Sequence, residues 1–378
     1  MRLQEISKGF EAIKDQVYLD TATTGPLHQR VYEAAKAYLD QRYFRGADID
    51  DYKHWVSEAE RIREVVAGIL NASPEEIAYT KNASEGMNHA ANIIPFEPGD
   101  NVVVPDMSFP TNAYAFMNLE RHGVQVKMAE SHNGQISFDE LISYVDENTK
   151  AISVCFVEFS TGFKHAVEKI GNFAKEQNIY FHVDATQAAG AMLIDVQKFN
   201  IDFLSFSPYK WFCCPLGIGV FYCDKNTLEQ INPRYVGWFG VKDRFDFSKL
   251  RFNLLETAGM FESGGLNYSG IFALEEAIKI YTELGASFVE ERILHLNNYL
   301  IEALDRIGMD IVGPFPPENR SGITYAVLPD EKKIRDSLER HNVLVNVSKG
   351  KARISPHFFN SEEDIDALIK AIKSSGAV

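Results

Sequence analysis

The sequence predicts an α/β protein, with a large unit built on a doubly wound, mostly parallel sheet and a smaller α+β unit after it. Three observations predict this. Short apolar runs alternate with segments of helical periodicity through the first half of the chain, the pattern of βα units. The chain has 378 residues, more than one hydrophobic core usually supports, so a second unit is expected. Beyond about residue 270 the order changes to two long helices and then a short strand–helix–strand–strand–helix series. The expected division is an arm over 1–16 packing with the small unit, a large unit over 17–255 and a small unit over 256–378.

Taken in order, residues 1–16 place Ile6, Phe10 and Ile13 at helical spacing. Val17–Asp20 reads as a short strand, and Thr21-Ala22-Thr23-Thr24-Gly25-Pro26 as a turn of small residues. Its hydroxyls and the Gly25 backbone could face a ligand, because glycine lets the main chain approach closely. Helical periodicity runs from about Gln29 to Asp40 and from about Trp55 to Leu70. Pro74–Thr80 leads into a strand, and Lys81-Asn82-Ala83-Ser84-Glu85-Gly86 opens a helix. A helix start after a strand suits an anion, since its free N–H groups and dipole face the ligand. An ordinary N-cap by Asn82 or Ser84 explains the same residues.

Asn101–Pro105 is a buried strand, with Phe109 in the loop after it, where a ring could stack on an aromatic ligand. Ala151–Val154 is another strand, followed by the loop Glu158–Gly162. Ile179–Val183 and Ile201–Ser207 are apolar runs that end at Asp184 and just before Lys210. Side chains at the ends of parallel strands converge on one crevice, where such sheets bind ligands. A carboxylate and a lysine meeting there suit pyridoxal phosphate, with the lysine as Schiff base and the aspartate on the ring nitrogen. A buried ion pair is the plain alternative. Phe239 to Phe261 is irregular and aromatic-rich, and the unit boundary is expected within 245–270. Helices over 270–284 and 286–307 follow, then strands at 322–328, 343–347 and 352–356 with helices between and after them. Ser361-Glu362-Glu363-Asp364 resembles a capping box.

The net charge of −15 disfavours nucleic acid and anionic membranes as partners, since clustered Lys and Arg hold phosphates. No apolar run approaches the ~18 residues of a membrane span, and the first residues lack a signal-peptide core. A cytoplasmic location is expected. Cys155, Cys213, Cys214 and Cys223 sit in apolar contexts and read as reduced, structural thiols. No metal site is expected, because the histidines show no ligating spacing. Neither GxGxxG followed by a helix nor GxxxxGK[ST] occurs, which disfavours dehydrogenase and P-loop chemistry.

Several blocks occur in one order: Tyr18-Leu19-Asp20-Thr21-Ala22, Asn82-Ala83-Ser84-Glu85, His182-Val183-Asp184-Ala185-Thr186-Gln187, Tyr209-Lys210-Trp211, Tyr235-Val236-Gly237-Trp238, Phe261-Glu262-Ser263-Gly264 and Arg353-Ile354-Ser355-Pro356-His357. Together they resemble the aminotransferase class V family of fold-type I pyridoxal phosphate enzymes, which includes cysteine desulfurases, C–S lyases and isopenicillin N epimerase-like proteins. The resemblance implies that Lys210 carries the cofactor and moves the α-proton through an external aldimine and a quinonoid carbanion, while Asp184 holds the ring nitrogen. It implies that Gln187 bonds the ring oxygen and Phe109 stacks on the ring. Ala83, Ser84, Ser207, Tyr209 and Gly265 would serve the phosphate, and Thr24 and Arg353 the substrate.

Several positions depart from the family pattern. Gly265 stands where relatives often have a threonine that reaches the phosphate across a dimer interface. Phe159 replaces a polar ring contact, a duty that Ser160 could take over. No cysteine follows Cys223, which disfavours a persulfide-forming desulfurase unless Cys213 or Cys214 substitutes. The expected partners are a small amino acid and a second copy of the chain in a homodimer with shared sites. Transamination is the expected reaction, with β-elimination or C–S lysis and racemisation as alternatives. Racemisation needs a second base, for which Tyr268 and His357 are candidates.

Overall fold

Runs rich in Val, Ile, Phe and Cys, too uniformly apolar for a surface, assemble into one central sheet. The computed structural model describes residues 2–313 and 315–378. Its strands in chain order are β1 (Val17–Tyr18), β2 (Ile77–Thr80), β3 (Asn101–Pro105), β4 (Gln125–Ala129), β5 (Thr149–Cys155), β6 (Tyr180–Asp184), β7 (Phe203–Phe206), β8 (Gly219–Cys223), β9 (Thr324–Val327), β10 (Val343–Leu344), β11 (Asn346–Ser348) and β12 (Lys351–Ile354). The main sheet has the order β2-β8-β7-β6-β5-β3-β4. Its neighbours run parallel except at β8, which is antiparallel to both β2 and β7. All residues of β2, β3, β7 and β8 are buried, as strands covered on both faces must be.

Helices supply both covers. On one face Ala83–Ile93 and Pro110–Met117 bury Met87, Ala90 and Phe116 against Phe203 and Phe221. On the other, Ile49–Gly68, Val167–Glu176 and Tyr268–Leu284 bury Ile62, Ile170 and Leu274. The helix Ile49–Gly68 begins before the expected Trp55, because Asp48 closes a capping box with Asp51. Its first turns are polar and partly exposed, so they carry no hydrophobic period.

The second core gathers Leu296, Leu300, Ile334, Ile354, Ile365 and Leu368. Around it lie two small sheets, β1-β10 and β11-β12-β9, and the helix Glu362–Ser374 with the expected Ser361/Asp364 capping box. Three features differ from the sequence reading of the domains. Strand β1, assigned to the large unit, pairs in parallel with β10, and Leu19 joins the second core. The helix Tyr268–Leu284, assigned to the small unit, packs its Ile271, Leu274 and Ile278 into the core of the main sheet. The run 343–347 divides into β10 and β11, which serve different sheets. The arm joins the core of the main sheet, where Ile6 and Phe10 are buried. Phe10 meets His28 on one side and Phe358 and Phe359 on the other.

Strands β11 and β12 are joined by the two-residue turn Lys349-Gly350, both residues left-handed at φ 52° and 72°. That is the tight hairpin geometry that matches strand twist.

Candidate active site

Parallel pairing of β5 with β6 places Cys155 beside Asp184, and pairing of β6 with β7 places Asp184 beside Ser205. The chain leaving β7 then turns through Ser207 to Lys210. These strand ends frame a cavity of about 240 Å³, whose wall includes Ser84, Phe109, Asp184, Gln187, Ser207, Tyr209 and Lys210.

Lys210 is buried, with only 8% of its surface exposed. Its amine is pulled down to about 8 from an ordinary 10.5, chiefly by burial and also by Arg353, against the opposing pull of Asp184. The amine lies 5.9 Å from the ring centre of Phe109 and 5.7 Å from that of Tyr209. Gly25 fixes the backbone behind it. Its N–H donates to the Tyr209 carbonyl at 2.9 Å, and a Cβ there would stand 2.1 Å from the Lys210 carbonyl oxygen. The close approach expected of Gly25 is therefore made to the lysine's own main chain.

Asp184 is also buried, and burial raises its carboxyl, partly offset by hydrogen bonds from Thr186. Its Oδ1 accepts from the Thr186 N–H at 2.9 Å, whereas among the described residues Oδ2 has only the Cys155 thiol at 3.9 Å. A buried carboxylate oxygen so weakly partnered suits an incoming N–H donor. Gln187 is held at both ends of its amide. Its Nε2 donates to the Ala22 carbonyl at 3.1 Å and its Oε1 accepts from Trp211 Nε1 at 2.8 Å, leaving the second Nε2 hydrogen to the cavity. Phe109 is packed edge-on by Phe159 at 5.2 Å, so its ring is braced from the side.

Four predicted positions do not line this cavity. The Ala83 N–H is taken by Ser207 Oγ at 2.8 Å, so that contact ties the helix start to the loop after β7. Thr24 is exposed, and its carbonyl accepts from the Tyr18 hydroxyl. Gly265 is exposed before the helix Tyr268–Leu284, near the Tyr52 hydroxyl. Arg353 is buried off the cavity wall, where its Nη2 donates to Thr23 Oγ1 and lies 3.5 Å from Asp20 Oδ1. Ser160 does not replace the polar ring contact either, because its hydroxyl donates to the Met107 carbonyl at 3.0 Å.

Neither candidate second base is placed to act. His357 is fully buried, with Nε2 on the Trp211 carbonyl at 2.7 Å and Nδ1 on the Phe358 N–H at 2.7 Å, and burial lowers it to about 4. Tyr268 is buried among Tyr38, Tyr52 and Trp55.

Asn82, Cys155, Val157, Thr186 and Leu216 also line the wall, and none was read as a site residue from the sequence. Cys155 carried a usable signal, since it ends a strand directly beside Asp184. Leu216, in an irregular loop, carried none.

The sequence model of the aminotransferase class-V family matches residues 17–368. An uncharacterized aminotransferase of Schizosaccharomyces pombe is 31% identical over 327 residues, 84% of this chain and 82% of that protein. A probable cysteine desulfurase of Methanothermobacter thermautotrophicus is 28% identical over 392 residues, covering 97% and 96%. The structure of the cystine C–S lyase C-DES with its product cysteine persulfide superimposes with a TM-score of 0.88 at 19% identity, covering 96% and 98%. That likeness carries the fold, which is fold-type I. A family match over nearly the whole chain, with the Lys210–Asp184 crevice at its centre, places this protein in the aminotransferase class-V family of pyridoxal-phosphate enzymes.

Proposed function

We propose that the protein acts on the α-carbon of a small amino acid and that its reaction is transamination. The observation that carries this reading is one cavity with a depressed lysine amine at one end and an under-partnered buried carboxylate at the other. The residues fit pyridoxal phosphate. Asp184 would hold the ring nitrogen, the free Nε2 hydrogen of Gln187 the ring oxygen, and Phe109 the ring face. Ser84, Thr186, Ser207 and Tyr209 would surround the phosphate. Once bound, the cofactor supplies an electron sink for charge developing at the α-carbon.

The chain's own part is proton handling and orientation. Lys210 Nζ, neutral above about pH 8, would take the α-proton and return it. Asp184, held by the Thr186 N–H, would keep its carboxylate aimed at one point. Phe109, Phe159, Val157 and Leu216 restrict water around the reacting atoms.

An amine that titrates near 8 sets a pH dependence. Below that value the neutral fraction falls about tenfold per unit, and above it the fraction saturates. The rate at which stripped protein takes up pyridoxal phosphate should rise with this slope to pH 8 and then level. A rise continuing to pH 10 would show an unperturbed lysine.

A second reading, C–S lysis by β-elimination, is favoured by the likeness to the cystine C–S lyase. A desulfurase with a nucleophilic cysteine beside the late arginine is disfavoured, because the two-residue turn Lys349-Gly350 offers no loop to carry one. Incubation with alanine, cysteine and cystine, without a keto acid, separates the readings. Transamination stops after one turnover and resumes when a keto acid is added. Continuous release of pyruvate and sulfide would instead establish the lyase and remove the transaminase reading.

A further inference from the structure

Arg353 stands at the junction of the two units, on β12 and opposite Tyr325 of β9. Its guanidinium meets the turn that follows β1. Ser355 N–H donates to the Leu19 carbonyl at 2.8 Å and Ser355 Oγ accepts from the Ala22 N–H at 2.9 Å, so this turn is fastened directly to the strand that carries the arginine. Thr23 Oγ1 donates to Asp20 Oδ1 at 2.8 Å and accepts from Arg353 Nη2 and from Asn346 Nδ2, the latter at 3.3 Å. A hydroxyl has one donor and two lone pairs, so Thr23 is saturated. The small-residue turn is thus built as a seat for one corner of the guanidinium.

That corner matters. A guanidinium grips a carboxylate through either of two forks, Nη1–Nη2 or Nε–Nη2, and both run through Nη2. Here Nη2 is committed to Thr23 and Asp20, while Nε is buried without a hydrogen-bond partner. The Asp20 contact is long for a charge-assisted bond, 3.5 Å against the usual ~2.7–2.9 Å. Asp20 therefore neutralises Arg353 without satisfying it.

We propose that Asp20 is a specificity-determining residue that acts as the resident counter-anion of Arg353, and that a substrate α-carboxylate binds by taking the Nη2 corner from it while filling Nε. This rests on the reading of Arg353 as the partner of the substrate carboxylate. It explains why the arginine, near enough to lower the Lys210 amine, has its charge compensated by Asp20. It also makes carboxylate affinity a difference between two anions competing for one cation.

The test uses the cofactor-loaded protein and calorimetric titration with propionate, a carboxylate that has no amine to react, and with propionamide, its uncharged counterpart. Removing the charge in Asp20→Asn leaves an acceptor for Thr23 and removes the competitor. Propionate should then bind about tenfold tighter while propionamide binds as before. Asp20→Ser, smaller and also neutral, carries the same expectation should the asparagine variant not fold. Equal or weaker propionate binding, or a parallel change for propionamide, overturns the proposal. Arg353→Gln separates the two levels. If it binds propionate as well as the unaltered protein does, the carboxylate sits elsewhere and the underlying reading fails. If it loses propionate while Asp20→Asn shows no gain, the role of Asp20 alone fails.

Discussion

Lys210→Ala should lower turnover at least about 10³-fold while leaving the fold intact, because it removes both the attachment point and the proton carrier. The size of the effect follows from geometry. Lys210 is the lysine on the cavity wall, and its depressed amine is produced by burial that no neighbouring side chain reproduces. Asp184 carries the wrong charge for attachment, and the Cys155 thiol is pushed well up by burial, so neither substitutes. A small exogenous amine such as methylamine should restore part of the lost rate by diffusing into the space left. Steady-state rates for the variant with and without the amine check this, and turnover within tenfold of the unaltered protein would refute it.

Glu262→Gln should be the most destabilising conservative change outside the cavity, by about 3–5 kcal/mol. Arg63 and Glu262 have side chains only 6% and 1% exposed. Arg63 donates from Nη1 to Glu262 Oε1 at 2.7 Å and from Nη2 to Oε2 at 3.2 Å, and Oε1 also accepts the Tyr79 N–H at 2.8 Å. Burial alone would lower the arginine's affinity for its proton, but Glu262 and Glu60 outweigh it and raise it. Neutralising Glu262 leaves a buried guanidinium with the half-exposed Glu60 as its remaining anion. The apparent melting midpoint should fall by several degrees. The double variant Arg63→Met/Glu262→Leu should recover much of the loss, because replacing the whole pair strands no charge. An unchanged midpoint in Glu262→Gln, or a double variant worse than both singles combined, would show that the pair does not tie β2 to the segment before Gly265.

Much of this was legible in the residues. Asp184 and Lys210 could be read because each ends an apolar run, and a charged group there must have a buried partner or a ligand. Phe109 was read from its loop after the strand Asn101–Pro105, and the parts of Ser207 and Tyr209 came from the family blocks. Other features depended on contacts that sequence spacing does not encode. The Gly25 backbone was expected to face a ligand, but the group that approaches it is the backbone of Lys210. Thr23 and Thr24 are indistinguishable as sequence and both are exposed, yet Thr23 bonds Arg353 through its hydroxyl whereas Thr24 accepts from Tyr18 through its carbonyl.

The contacts of β1 and of the helix Tyr268–Leu284 were hidden for a related reason. Two residues of β1 hold too little pattern to reveal a partner in β10, far along the chain. The helix Tyr268–Leu284 is apolar on a face that either unit could have covered. His357 sits inside a family block, but its two ring nitrogens are both spent on the backbone, which makes it a brace for Trp211 and Phe358.

We propose that Lys210 is the residue that holds the cofactor, opposite Asp184. Borohydride reduction of the purified protein followed by proteolysis and mass mapping tests that most directly. The expected result is one pyridoxyl group, found on the peptide containing Lys210 and absent from protein incubated without the cofactor. A label on any other lysine, or no label in protein saturated with pyridoxal phosphate, would contradict it.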